Sequence, residues 1–198
     1  MLRIARREDV PQMLSIYAPY VLRSTATFEY DVPTLEEFYR RFDTFTRQYP
    51  WLLWEEGGEI EGYAYASPPY SRPAYAWCAE PTVYLRPECR GRGVGEKLYL
   101  ALETILKKQG YQVIYALVCE ENQASLRFHE KMGYEKRAFF PSCGYKLNRW
   151  MGLHWLEKRL CTAKSPNGFP VSWLSIVQNA ETLDDFLDNL SLSQQAKI

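Results

Sequence analysis

Surplus charge of either sign is missing from this sequence: 24 lysines and arginines face 24 aspartates and glutamates over 198 residues. Without a net field, bulk attraction to nucleic acid or to an anionic membrane is excluded, and any ligand must be recognised locally. Long apolar runs are lacking too. No stretch approaches the roughly 20 residues that cross a bilayer as a helix. The opening MLRIARREDV is charged within a few residues and has no apolar leader core. The expectation is a cytoplasmic protein that engages neither membrane nor nucleic acid. Cysteine is sparse and irregular: Cys78, Cys89, Cys119, Cys143 and Cys161 are odd in number and contain no C-x-x-C pair, which argues against a disulfide framework and a zinc cluster. No metal is expected. A nucleophile built from Cys78 or Cys119 with one of the two histidines stays open, beside the plainer reading of buried, inert thiols.

The length suits one well-cored domain. LRIA reads as a strand, and Val10, Met13, Leu14 and Tyr17 as the apolar face of a helix with Pro19 near its end. Pro33-Thr34 starts a second helix, with Leu35, Phe38, Tyr39 and Phe42 at helical spacing up to about Tyr49. Glu56-Gly57-Gly58-Glu59 between two β-rich runs is a hairpin signal. The β-like run from Ala74 to Leu85 contains Pro81, which cannot donate to a ladder and so predicts a bulge or a local break. Leu98, Ala101, Leu102, Ile105 and Leu106 form an apolar stripe on a helix that ends at Gly110, and Tyr111 to Val118 is a strand. A helix from Asn122 to Met132 and strands over Tyr134 to Phe140 and Lys146 to Leu160 follow. The class is mixed α/β, meandering strands first and β-α-β crossovers later. Domain boundaries are expected at 1–160 for the catalytic unit and 161–198 for a linker and a helical appendage, with Leu174 to Leu190 at near-helical spacing.

Between a strand ending in Val83-Tyr84-Leu85 and the helix after Gly95 lies Arg90-Gly91-Arg92-Gly93-Val94-Gly95. Glycines permit a tight turn and close approach of a phosphate, the first helical N–H groups lack acceptors, and the helix dipole adds positive potential. Arg90 and Arg92 can add side-chain charge. The dinucleotide fingerprint G-x-G-x-x-G and the nucleotide loop ending G-K-[ST] are not met; a glycine-rich turn without a ligand is the bland alternative.

The segment resembles the R/Q-x-x-G-x-G/A signature of GNAT acetyltransferases, met by Arg90, Gly93 and Gly95. Asn122 to Tyr134, NQASLRFHEKMGY, is similar to a second segment of that family. Tyr17 to Val21, Thr25 to Glu29, Gly62 to Ala66, Arg72 to Tyr75 and Gly144 to Trp150 resemble the phosphinothricin acetyltransferase branch, so the likeness runs from about Arg3 to Leu160. It implies the GNAT acyl-CoA N-acyltransferase fold, an α/β (α+β mixed) domain with a mixed central sheet whose fourth and fifth strands splay into a cofactor cleft. It also implies acetyl-CoA as co-substrate, an amino-acid-like amine such as phosphinothricin, methionine sulfone or methionine sulfoximine as acceptor, and a homodimer. The loop from Arg90 to Gly95, Gly91, Arg92 and Val94 included, would bind the diphosphate. Val83 and Leu85 would pair with the pantetheine arm, with Asn122 and Ser125 beside it. His129 stands where many relatives carry a tyrosine general acid. Cys78 to Thr82 departs from the branch's usual strand but retains a glutamate at Glu80.

Acetyl transfer needs a neutral amine, and an α-amine is mostly protonated at pH 7, so a base must take a proton; Glu80, just upstream of the cofactor strand, is the candidate. Val83 N–H is the expected oxyanion donor. Arg72 and Arg149 are candidate forks for an acceptor carboxylate, and Phe28 and Tyr75 candidate walls, alongside plain core packing. Other acceptors (an aminoglycoside, a polyamine, a protein N-terminus) and a silent acyl-CoA-binding module remain alternatives.

Overall fold

Strands and helices follow one another as the local patterns dictate, in a computed structural model that describes residues 1–162 and 165–177. β1 (Leu2–Ile4) leads into α1 (Val10–Arg23), which continues four residues past Pro19. The proline therefore lies inside the helix and does not end it. α2 (Leu35–Phe45) begins with a reciprocal cap: Thr34 Oγ1 accepts from Glu37 N–H at 3.2 Å, and Glu37 Oε2 accepts from Thr34 N–H at 2.8 Å. The helix is shorter than its pattern suggests, and Tyr49 closes a turn back onto the Phe45 carbonyl. β2 (Leu52–Glu56) and β3 (Glu59–Ser67) form the hairpin expected around Gly57-Gly58.

After β4 (Cys78–Leu85) come α3 (Val94–Gln109), β5 (Val113–Cys119), α4 (Gln123–Lys131), β6 (Glu135–Lys146) and β7 (Arg149–Arg159). Leu98, Ala101, Leu102, Ile105 and Leu106, the stripe read from the sequence, are all fully buried, each large aliphatic contributing about 2 kcal/mol. The chain reverses between β6 and β7 at Leu147 and Asn148, both left-handed at φ 51° and 60°. Residues 141–145, unassigned by pattern, belong to β6, and Lys146 ends that strand instead of starting the next.

The seven strands are ordered β1-β2-β3-β4-β5-β7-β6, antiparallel except for the central β4–β5 pair. α1 and α2 cover one face over Leu53, Tyr63 and Tyr84, and α3 covers the other over Leu52, Ala64 and Ala79. Side chains on β4 alternate between these two layers.

The segment after β7 folds back across the end of α3. Trp77 Nε1 donates to the Gly168 carbonyl at 2.7 Å, and its ring stacks on Phe169 at 4.8 Å. Gln109 Nε2 donates to the Val171 carbonyl at 2.8 Å. Trp173, in the short α5 (Trp173–Val177), is 6% exposed and donates to the Thr46 carbonyl at 2.7 Å. Most of the helix expected over Leu174 to Leu190 lies outside the described residues. Truncating a buried tryptophan removes both packing and this hydrogen bond, so Trp173→Ala is expected to destabilise by about 3 kcal/mol, roughly 6–12 °C in Tm. Scanning calorimetry checks this, and an unchanged Tm would show that the segment adds no stability.

Candidate active site

β4 and β5 pair only at Cys78–Val113 and Ala79–Ile114 and then part. The direction of the β4 backbone explains why. Trp77 accepts from Gln112 N–H at 2.9 Å on the β5 side, whereas Arg86 N–H donates to Glu61 at 2.8 Å on the β3 side. Odd-numbered residues of β4 thus turn their N–H and C=O groups toward β5. The next rung would need an N–H at Pro81, which has none. Pairing with β3 runs through Ala66–Pro81 without a shift, so no bulge forms. The expected break lies on the β5 side alone.

The parted strands open a cleft of about 1030 Å³ that reaches from the 24–29 segment to the start of α3. Three residues present main-chain groups along its β4 edge. The Pro81 carbonyl accepts the Tyr99 hydroxyl at 2.9 Å. Leu85 is engaged twice by Tyr20, whose hydroxyl donates to the carbonyl at 2.5 Å and accepts from the N–H at 3.2 Å. Val83, between them, has no partner for its N–H or carbonyl among the described residues.

At the mouth, Gly91 and Gly93 are left-handed, at φ 77° and 78°, which turns the loop so that the N–H groups from Gly91 to Glu96 meet no acceptor among the described residues. Arg90, Gly91, Gly93, Val94 and Gly95 line the cleft. The two loop arginines part company. The Arg90 guanidinium lies 5.2 Å from the Tyr20 ring centre with no carboxylate partner among the described residues. Arg92 points away, bonded to Glu56 at 2.5 Å and Glu61 at 2.6 Å, and ties the loop to the β2–β3 hairpin.

Deeper in, the Glu80 side chain projects on the same side of β4 as Tyr84, toward the layer of α1 and α2. Burial pushes its pKa above the ordinary carboxylate range, and no hydrogen-bond donor or cation partner meets its carboxylate among the described residues. Across the sheet plane, the His129 imidazole is 6% exposed. Nδ1 lies 2.8 Å from the Ser125 carbonyl, which can only accept, so this nitrogen carries the proton. Nε2 faces the Tyr99 hydroxyl at 2.9 Å. An imidazolium would satisfy every contact of this chain, since Tyr99 could then donate to Pro81. Burial prevails and lowers the pKa to about 4. At pH 7 His129 is neutral, with its proton held by Ser125, and not the imidazolium that hands a proton to a leaving group. Tyr99, one of 15 tyrosines, carried no signal in the sequence for its place between Pro81 and His129.

Asn122 caps α4, its Oδ1 accepting from Ser125 N–H at 3.2 Å, and both residues line the cleft. Phe28 and Arg149 also line it, but both guanidinium nitrogens that Arg149 turns to Glu121 are engaged, at 2.8 and 2.6 Å. Arg72 and Tyr75 do not; they sit with Pro69, Tyr70 and Ser71 around a separate shallow depression. Cys119 points its thiol at Met151, and burial raises the Cys78 thiol pKa. Neither is joined to a histidine, so no cysteine nucleophile is assembled.

A sequence model described as an acetyltransferase (GNAT) domain matches residues 2–155. The chain belongs to the GNAT acetyltransferase family. Among its relatives, phosphinothricin N-acetyltransferase of Streptomyces viridochromogenes is 33% identical over 149 residues, 75% of this chain and 81% of that protein. The L-methionine sulfoximine/L-methionine sulfone acetyltransferase of Pseudomonas aeruginosa is 32% identical over 166 residues, 83% of this chain and 96% of that protein. In three dimensions the chain superposes on a GNAT superfamily phosphinothricin acetyltransferase from Sinorhizobium meliloti in complex with acetyl-CoA. The TM-score is 0.81 at 32% identity, covering 85% of this chain and 94% of that one.

This GNAT cleft has groups that fit acetyl-CoA: unpaired loop amides and Arg90 for a diphosphate, and the open Val83 edge for an amide-bearing arm. The different bonding of the two arginines predicts different phenotypes. Arg90→Ala is expected to weaken coenzyme A binding about tenfold, the worth of one charged hydrogen bond, with Tm unchanged. Arg92→Ala strips Glu61 of its cation, and is expected to lower Tm while leaving affinity within about twofold. Calorimetric titration and thermal melts read both.

Proposed function

We propose that this N-acetyltransferase moves the acetyl group of acetyl-CoA onto the amino group of a small amino-acid-like acceptor by direct attack, with Glu80 as base. The observation that carries this reading is the charge pairing in the cleft. Four carboxylates line it. Glu29 is bound by Arg41 at 2.6 Å, Glu96 by Lys131 at 2.5 Å and Glu121 by Arg149 at 2.6 Å. Glu80 is the one without a cation partner among the described residues, and it lies one residue from the break in the β4–β5 ladder. A polycation such as an aminoglycoside or a polyamine would need several free carboxylates. One isolated carboxylate suits one amine.

Acetyl-CoA supplies the thioester. Val83 N–H donates to the oxygen that gains charge as the amine attacks. Glu80, its pKa raised by burial, is a stronger base than an ordinary carboxylate and takes the ammonium proton. Arg23 lines the cleft beside the 24–29 segment without a carboxylate partner among the described residues, and takes the acceptor carboxylate in this reading; Arg149 serves as wall, its fork spent on Glu121. His129 lies against the Tyr99 hydroxyl at 2.9 Å. The second amine proton, left on nitrogen in the tetrahedral adduct, ends on the departing thiolate, whose conjugate acid has an ordinary pKa of about 8.5, so the leaving group needs no acid from the protein. Pairing of two copies, which the family likeness suggests, can draw on Phe139, Phe140, Tyr145 and Trp150, all exposed along β6 and β7.

Thiol release from acetyl-CoA, followed against methionine sulfone, methionine sulfoximine, phosphinothricin, polyamines and aminoglycosides, tests the acceptor class. Turnover with the first three is expected, and turnover confined to polycations would reject it. Glu80→Gln is expected to lower turnover about 10²–10⁴-fold with coenzyme A affinity nearly intact. The carboxylate is lost as a base when it is protonated, so the wild-type rate falls as pH drops through its raised pKa. The variant depends on free amine instead, so its deficit shrinks as pH rises. A pH profile identical to wild type would remove Glu80 from the mechanism.

A further inference from the structure

Two sequence motifs, Thr25 to Glu29 and Gly144 to Trp150, meet in space although 119 residues separate Thr27 from Lys146. The 24–29 segment lines the acceptor side of the cleft throughout. Among the described residues no backbone–backbone hydrogen bond holds it. Its carbonyls are held by a side chain from β6. Lys146 Nζ donates to Ser24 O at 2.9 Å and to Thr27 O at 2.7 Å, and the residue is 3% exposed. Lys146 does not itself line the cleft. Its neighbours add contacts: the Tyr30 hydroxyl donates to the Tyr145 carbonyl, and the Phe28 ring lies against Gly144 so closely that a Cβ there would overlap it.

Burying an ammonium costs several kcal/mol unless its donors are satisfied. An apolar side chain of similar volume would fill the space without that cost. What only a cation on a long stem provides here is simultaneous donation to two carbonyls three residues apart, which fixes the curvature of a segment that has no ladder of its own. Side-chain contacts supplement it from α1 and α2: Tyr17 reaches Thr27 Oγ1 at 2.9 Å and Arg41 reaches Glu29 at 2.6 Å. Neither holds a main-chain group.

We propose that Lys146 is a positioning residue for the acceptor: its ammonium sets the shape of the 24–29 wall, and through it the placement of the amine, without touching either substrate. This rests on the reading of that wall as the acceptor half of the cleft.

Lys146→Met is expected to raise the acceptor KM about tenfold while the acetyl-CoA KM and the coenzyme A Kd stay within about twofold. Gly144→Ala, which displaces the Phe28 ring from the other side, is expected to give the same split. Hydrogen exchange adds a readout that needs no acceptor: amides of 24–29 should exchange at least about tenfold faster in Lys146→Met, and Lys146→Arg, which keeps the donors, should restore much of the protection. If Lys146→Met does not fold, Gly144→Ala and Lys146→Arg carry the test. An unchanged acceptor KM with unchanged exchange, or a coenzyme A Kd that rises in step with the acceptor KM, would overturn the proposal. If the unmodified enzyme turns over none of the amino-acid acceptors, the proposed function fails while the exchange data still judge Lys146.

Discussion

A parallel pair of strands can pair along its length only where each inward-facing residue brings an N–H, and β4 lacks one at Pro81. The two rungs at Cys78 and Ala79 hold the sheet together, and everything beyond them is consequence. The strands diverge, the Val83 amide and carbonyl are left without partners, and a sheet that would otherwise be sealed acquires an edge in its middle. Unpaired main-chain groups inside a protein are costly. Tyr99 and Tyr20 relieve that cost at Pro81 and Leu85, from opposite faces of the sheet, and leave the middle position open to the cleft.

Charge in the cleft is arranged with similar economy. Arginines and lysines neutralise the carboxylates at its rim, and two arginines in one loop serve opposite purposes: Arg92 fastens the loop to β2 and β3, which frees Arg90 to face the cleft. Glu80 is left alone in a low-dielectric setting, where a carboxylate gains basicity. The same setting works in reverse on His129, whose proton affinity falls. One environment thus makes the carboxylate a stronger base and the imidazole a weaker one.

The parts legible in the sequence were those governed by local chemistry. The apolar stripe of α3, the glycine pair closing the β2–β3 hairpin and the strand–glycine loop–helix order all follow from spacing and backbone freedom over a few residues. Pro81 was legible as a break, but not the side on which it would break, because that depends on which edge odd-numbered residues face. Arg90 and Arg92 look alike in a motif, and only the hairpin carboxylates 31 and 36 residues away from Arg92 separate them. The pattern over Arg72 to Tyr75 carried no measure of distance from the cleft, and neither Leu147 nor Asn148 announces a turn the way glycine does. Lys146 read as the start of a strand, since its partners are carbonyls over a hundred residues earlier.

The segment that follows β7 attaches beside Trp77 and Gln109, next to Gln112, where β4 and β5 are still joined. A V-shaped opening is stiff or slack according to how its apex is held, and here the apex carries an external brace. Ending this chain just after β7 would keep every residue that lines the cleft and yet remove the splint at the hinge, changing how far the two arms can spread when something wedges between them.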